Sequence, residues 1–236
     1  EVLRALDRNR LAKDTVVIFT ADNGCSPAAK IPALVAKGHK PNSDWRGHKA
    51  DIFEGGHRTP FLVRWPGRVK AGSSSGQTIC TADLFATVAN LIGKSAAIPA
   101  DAAEDSFSFL PALLGHAQAK PRPFTIHHSI NGSFAIRRGK WKLVLCPGSG
   151  GWSAPKPAAA SKNKTLPPVQ LYDLEADPGE QHNMQTKRPE LVNDLVATLA
   201  KAIKNGRTTP GPIQPNEGHP NTFSQKLLAA FPALGQ

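Results

Sequence analysis

The sequence predicts an α/β chain in two parts, divided near residue 120. Three observations carry this reading. A helical pattern over Glu1–Lys13 runs through a short loop into the β-branched apolar run Thr15–Thr20, which is an α/β unit. The 236-residue length is enough for one large domain or two small ones with a real core. After Pro121 the pattern changes to short strands separated by glycine-containing turns.

In order, Val2, Leu3, Leu6 and Leu11 give the first segment its helical spacing. Thr15–Thr20 reads as a strand buried on both faces, as in a parallel sheet. Residues 26–50 have weak periodicity and read as a long loop with a short helix near Ile31–Ala36. Pro60–Trp65 is a second strand, stopped by Pro66-Gly67. Thr81–Ile92 predicts an amphipathic helix capped by Thr81, with Leu84, Phe85, Val88, Leu91 and Ile92 inward and Gly93 as its stop. A short helix follows in "DSFSFLPALLG". Phe124–His128, Ser133–Arg138 and Trp141–Leu145 predict antiparallel strands with turns at Asn131-Gly132 and Arg138-Gly139-Lys140. Residues 147–168 read as an insertion or flexible loop. Leu171–Leu174 is a further strand, and Arg188–Lys204 is a helix with Leu191, Leu195, Leu199 and Ile203 on one side. The last thirty residues, rich in Pro, Gly and Asn, read as surface-lying or partly disordered.

Composition narrows the function classes. The net charge is +11, which favours anionic partners, but the basic residues are scattered and not interleaved with aromatics. That argues against nucleic acid. No apolar run approaches the roughly 18 residues of a membrane span. Three cysteines are too few and too far apart for a disulfide framework or a zinc knuckle, so buried free thiols are expected. The chain starts without Met and enters a helical pattern at once, as the middle of a longer protein would.

Two stretches carry chemistry. Asp22 and Asn23 follow the first strand, where α/β sheets bind ligands. Their carboxylate and amide carbonyl are hard oxygen donors of the kind calcium takes; a simple turn is the other reading. Lys49 stands five residues before Glu54-Gly55-Gly56. A lysine held near a metal clamps a tetrahedral anion as a point charge. A solvated surface lysine is the alternative. Glu54 and Arg58 are spaced to pair across the glycine turn. His39, His48 and His57 are nine apart, which is not zinc-ligand spacing.

"TADNG" and "RGHKADIFEGGHRTPFLVRWPGRV", followed in order by "DLFATVANLIG", "FAIRRGKWKLV" and "LYDLEADPGEQHNM", resemble the sulfatase family, the formylglycine-dependent sulfuric-ester hydrolases of the arylsulfatase A type. The resemblance covers nearly the whole chain and implies the C-terminal portion of such a protein. Residues 1–120 would be the later part of an alkaline-phosphatase-like α/β sandwich. Residues 121–236 would be a smaller α+β subdomain with an antiparallel sheet. By the same resemblance Asp22 and Asn23 are calcium ligands, and Lys49 is the catalytic residue that contacts the substrate sulfate. His57, together with His127 or His128, would reach the substrate pocket.

The family nucleophile is a Cys or Ser in a Cys/Ser-x-Pro-x-Arg motif, oxidised to formylglycine. Cys25-Ser26-Pro27 copies its first half, but Ala29 stands where the arginine belongs, so Cys25 is a look-alike and the nucleophile is expected upstream. The chain alone is then expected to be inactive. Implied partners are a sulfated small molecule or polysaccharide. The implied location is the periplasm or outside the cell. A phosphodiesterase or phosphonate hydrolase of the same superfamily, or a non-catalytic truncated copy, are the alternatives.

Overall fold

The computed structural model describes residues 1–116, 120–215 and 225–235. Part of the predicted loose C-terminal tail lies outside the described residues. The chain forms two compact units. One comprises residues 1–22 and 59–122; the other comprises residues 23–58 and 123–236. Residues 23–58, which belong to the first part in sequence order, thus pack with the second.

In the first unit, α1 (Val2–Arg8) leads to β1 (Val17–Thr20). The second unit then contributes α2 (Ile31–Ala36) and the one-turn α3 (Glu54–His57). The chain returns to the first unit in β2 (Phe61–Arg64), α4 (Asp83–Leu91) and α5 (Leu110–Leu113). Strand β1 pairs with β2 antiparallel, Val17 opposite Arg64 and Phe19 opposite Leu62. This corrects the expectation of a parallel strand buried on both faces. Among the described residues the sheet has two strands. One face is therefore open, and Phe19 and Leu62 are 62% and 61% exposed.

Helix α4 also differs from expectation. Its buried side chains are Asp83, Ala86 and Thr87, whereas Phe85, Val88, Leu91 and Ile92 are exposed. Thr81 does not cap it. Asp83 instead accepts from the Cys80 and Phe107 amides, both at 2.9 Å, and pairs with Arg122 at 2.8 Å. A buried carboxylate requires such partners, and this need turns the helix. Burial also pushes the Cys80 thiol up to about 11, so it stays protonated.

The second unit is built on an antiparallel meander of β3 (Thr125–His128), β4 (Phe134–Arg138), β5 (Trp141–Val144) and β6 (Gln170–Asp173). Between β5 and β6 lies α6 (Pro157–Lys162), and after β6 comes α7 (Pro189–Asn205). Gly206 closes α7 in the left-handed conformation, at φ 61°. A last helix, α8, spans Gln225–Ala230. Side chains alternate across the strands. Ile136, Leu143 and Leu171 lie in register and pack on Val192, Leu195 and Leu199 of α7. Ala135, Val144 and Tyr172 face the other way and pack on Ile52 and Phe53. The segment read as an insertion or flexible loop is packed at its start: Gly148–Gly151 are buried, and Ser149 O accepts from Ile52 N at 2.8 Å.

One feature of this unit needs glycine. The Gly24 amide donates to Gly56 O at 2.9 Å, and a Cβ at Gly24 would lie 1.7 Å from Gly55 O. A Cβ at Gly55 would lie 2.3 Å from Gly47 O, and one at Gly56 would lie 2.3 Å from Asp51 O. Three stretches of main chain therefore cross with no room for side chains. Gly24→Ala should lower stability by about 1–3 kcal/mol, the cost of forcing atoms into a packed site. Gly76→Ala, where nothing lies within 4 Å, should be neutral. Denaturant midpoints compare the two, and equal midpoints would remove the crossing as a constraint.

Candidate active site

The glycine crossing positions the predicted site residues of the second unit. Gly24 continues into Cys25, whose carbonyl accepts from Lys49 N at 3.0 Å. Cys25 N donates to Asn42 Oδ1 at 3.0 Å, and Asn42 Nδ2 donates to Gly47 O at 2.9 Å. Cys25 thus acts through its backbone, as a strut for Lys49. Gly56 continues into His57. Asn23, Lys49 and His57 therefore leave three adjoining stretches of main chain.

Asn23 donates its Nδ2 to Gly24 O at 3.0 Å, which leaves its Oδ1 without a donor among the described residues. Asp22, two residues beyond β1 in the chain, is exposed. Both are hard oxygen donors and fit calcium in kind. They fall short in number, because calcium takes about six to eight oxygens. Among the described residues no group of three or more His, Cys, Asp or Glu could hold a metal ion.

The turn after Lys49 is strained and clamped. Ala50 has φ 82°, a left-handed conformation that costs a non-glycine residue about 1–2 kcal/mol. Asp51, fully buried, holds the turn. Its carboxylate accepts from His48 N at 2.9 Å, Trp152 N at 2.8 Å and Ser153 N at 2.9 Å, and also from Ser153 Oγ. Ala50 O accepts from Ile130 N at 3.0 Å.

Beneath α3 lies a cluster that the sequence does not announce. Lys142 on β5 has no solvent exposure and lies 3.1 Å from Glu54 Oε1 and 2.9 Å from Glu180 Oε1. Glu54 Oε2 lies 3.4 Å from Arg58, the expected pair, and 3.3 Å from Arg137. Glu180 accepts from Glu54 N at 2.6 Å. Burial opposes ionisation of Glu54, but Lys142, Arg137 and Arg58 together outweigh it and lower its pKa. At Glu180 burial wins over Lys142, and the pKa is raised. The sequence signal for Lys142 is its place in the strand "WKLV", where alternation sets it on the face of Val144 and Tyr172.

His57 and His127 meet, with ring centroids 4.3 Å apart at 54°. Each bonds the backbone, His57 at Asp51 and His127 at Ile52. Each has a buried Nε2 with no partner among the described residues. Burial first, and then Lys142, lowers the His57 pKa to about 4 and that of His127 well below its ordinary value. Both imidazoles are neutral at pH 7. His128 points to the opposite face of β3, as the alternation requires, with its ring on Phe134 at 3.9 Å. Of the two candidate histidines on β3, the structure brings His127 to His57.

Residues 1–94 match the family described as Sulfatase, and residues 120–229 match that described as C-terminal region of aryl-sulfatase. An N-acetylgalactosamine-6-O-sulfatase of Bacteroides thetaiotaomicron is 34% identical over 213 residues, covering 86% of this chain and 39% of the relative. Arylsulfatase A of Homo sapiens is 32% identical over 223 residues, covering 88% of this chain and 42% of the relative. Among solved structures, a sulfatase from a glycosaminoglycan-metabolism locus of Bacteroides thetaiotaomicron aligns with TM-score 0.71 and 31% identity, over 85% of this chain and 41% of that one. A structure described in complex with its substrate D-glucosamine-2-N,6-O-disulfate shares the fold, with TM-score 0.58 and 19% identity, over 86% of this chain and 37% of that one. The chain thus spans about two fifths of the length of the curated relatives it matches, 39% and 42% of these two.

Two predictions follow from the buried charges. Lys142→Met leaves two buried carboxylates without their shared cation and should cost about 3–5 kcal/mol. Lys142→Met/Glu180→Gln should recover part of that loss in chemical denaturation; no recovery would show that the charges are not what hold the site. For His57 the folded pKa is below the unfolded one, so the unfolded chain binds more protons between about pH 6.5 and pH 4. Stability should fall as pH drops through that window, and His57→Gln should flatten the fall. An NMR titration of His57 with a midpoint near 6.5 would contradict its burial.

Proposed function

This chain belongs to the sulfatase family, and we propose that it supplies the anion-holding half of a sulfuric-ester hydrolase. The observation that carries this reading is the glycine crossing, from which Asn23, Lys49 and His57 emerge together. In this reading Lys49 is the catalytic residue of the chain. Its ammonium holds the sulfate and offsets the negative charge that grows as the S–O bond to the alcohol breaks. The turn at Ala50–Asp51 fixes where that ammonium can reach, because a charge aids a reaction only when it is already in place.

His57 and His127 each keep a buried Nε2 without a partner among the described residues, and their rings meet on the same side of the sheet. Neutral at pH 7, they add no charge beside the bound ester. His128 lies on the other face of β3, against Phe134. Asp22 and Asn23 would hold calcium with two of its oxygens, the others coming from elsewhere. When bound, the metal would orient the sulfate oxygens and neutralise part of their charge. The 236 residues contain no Cys/Ser-x-Pro-x-Arg stretch, so we place the nucleophile outside them and do not expect the isolated chain to turn over substrate. Relatives are named for both sulfated sugars and sterols, and the basic balance of the chain, which suits a polyanion, favours the sulfated saccharide.

Lys49→Ala in the full-length enzyme should lower kcat on an aryl sulfate at least roughly tenfold, the loss of one stabilising contact to developing charge. Wild-type turnover in that variant sinks the assignment. So does a wild-type enzyme that cleaves phosphate diesters and no sulfate ester.

A further inference from the structure

Few large apolar side chains of the second unit are exposed, and two of them stand at the same turn. Trp152 is 44% exposed and Ile130 is 61% exposed. Trp152 N is bonded to Asp51 Oδ1 at 2.8 Å, and Ile130 N is bonded to Ala50 O at 3.0 Å. Both main-chain amides are therefore tied to the two residues that follow Lys49, Ile130 to the Ala50 carbonyl and Trp152 to the Asp51 carboxylate. Gly151 lies so close to Ala50 that a Cβ there would come within 2.5 Å of the Ala50 carbonyl. That contact keeps the Cα atoms of Gly151 and Ala50 within roughly 6.5 Å, and one further step of about 3.8 Å on each side puts those of Lys49 and Trp152 within roughly 14 Å of each other. One sugar ring and its sulfate group span that interval.

The loop that carries Trp152 is fixed before any ligand arrives. Ser149 Oγ donates to Ser153 O at 2.7 Å and accepts from Gly151 N at 3.1 Å. Ser149 N bonds Pro155 O at 3.0 Å, and Ser149 O holds Ile52 N at 2.8 Å. With the Asp51 contacts, these bonds pin both sides of the tryptophan backbone. An exposed indole on a rigid loop offers a flat apolar face at little ordering cost. The turn packed against Gly150, two residues before the tryptophan, is small and polar: Ser129 Oγ and Ser133 Oγ both donate to Asn131 Oδ1, at 2.7 and 2.8 Å. A single aromatic face amid hydroxyl and amide groups matches a pyranose, which has one C–H face and a polar rim. A sterol would need a longer apolar wall.

We propose that Trp152, flanked by Ile130, is the platform on which the alcohol part of the ester rests, a pyranose ring, while Lys49 holds its sulfate. The proposal rests on the sulfatase reading and adds a specificity-determining residue to it.

Steady-state kinetics of the full-length enzyme on 6-sulfated N-acetylgalactosamine test it. Trp152→Ala should raise KM about five- to tenfold, the scale of one aromatic contact, with kcat changed less than about threefold. Trp152→Phe, which keeps a flat ring, should restore most of the loss. Ile130→Ser should raise KM about two- to threefold, and it serves as the independent readout should Trp152→Ala fold poorly. An unchanged KM in Trp152→Ala and Ile130→Ser overturns the platform and leaves the sulfatase reading intact, as does a Phe variant as impaired as the Ala variant. An enzyme saturated by aryl or steryl sulfates but not by sulfated sugars overturns the pyranose assignment alone. A wild-type enzyme inert on every sulfate ester defeats the parent reading instead.

Discussion

A lysine with no solvent exposure is the constraint around which the second unit is organised. Taking an ammonium out of water costs several kcal/mol even after relaxation, and only close carboxylates and good geometry offset it. Lys142 finds Glu54 and Glu180 from two distant parts of the chain, at 3.1 and 2.9 Å. Glu54 belongs to α3, and Glu180 to the turn after β6. Their contact with one amine ties both segments to the middle of the sheet. The tie is reinforced where Glu54 N donates to Glu180. Arg46 adds a further bond to Glu180 O at 2.9 Å while its guanidinium stacks on Phe53.

Fixing α3 fixes the site. Gly55 and Gly56 are its central residues, and they can be crossed by Gly24 and Gly47 only while the helix turn stays in place. The crossing sets Asn23, Lys49 and His57 on neighbouring backbone. Asp51 then fixes the turn between Lys49 and α3 from its other side. Buried charge, glycine contact and side-chain clamp act in series, so the side chains offered to a ligand rest on rigid main chain rather than on a free loop.

How much of this was legible in the sequence differs by element. The meander and α7 were, because alternation and a spacing of four are strong signals and one packed face satisfies both. The Glu54–Arg58 pairing was legible from its spacing. Strand β1 was read as doubly buried from composition alone, and composition does not say how many strands lie beside it. In α4 the apolar stripe pointed to the wrong face, because Asp83 and Thr87 are drawn inward by the amides of Cys80, Phe107 and Phe109. The meeting of Glu54, Lys142 and Glu180 was not legible, since it depends on contacts about forty and ninety residues apart that no local pattern carries. Asp51 and the 149–153 loop were hidden for the same reason.

The same buried charge also shapes the chemistry open to the histidines. Burial is the larger cause of their lowered pKa, and Lys142 is the second. A positive centre that cannot leave, placed under two imidazoles, keeps them from accepting a second positive charge. In the proposed reaction, a pocket lined by imidazolium would hold inorganic sulfate about as well as the ester, and uniform binding of that kind does not raise turnover. With His57 and His127 neutral, Lys49 is the ammonium that the proposed reading assigns to the anion. In this way a residue that touches no ligand determines which residues can carry charge when one is bound.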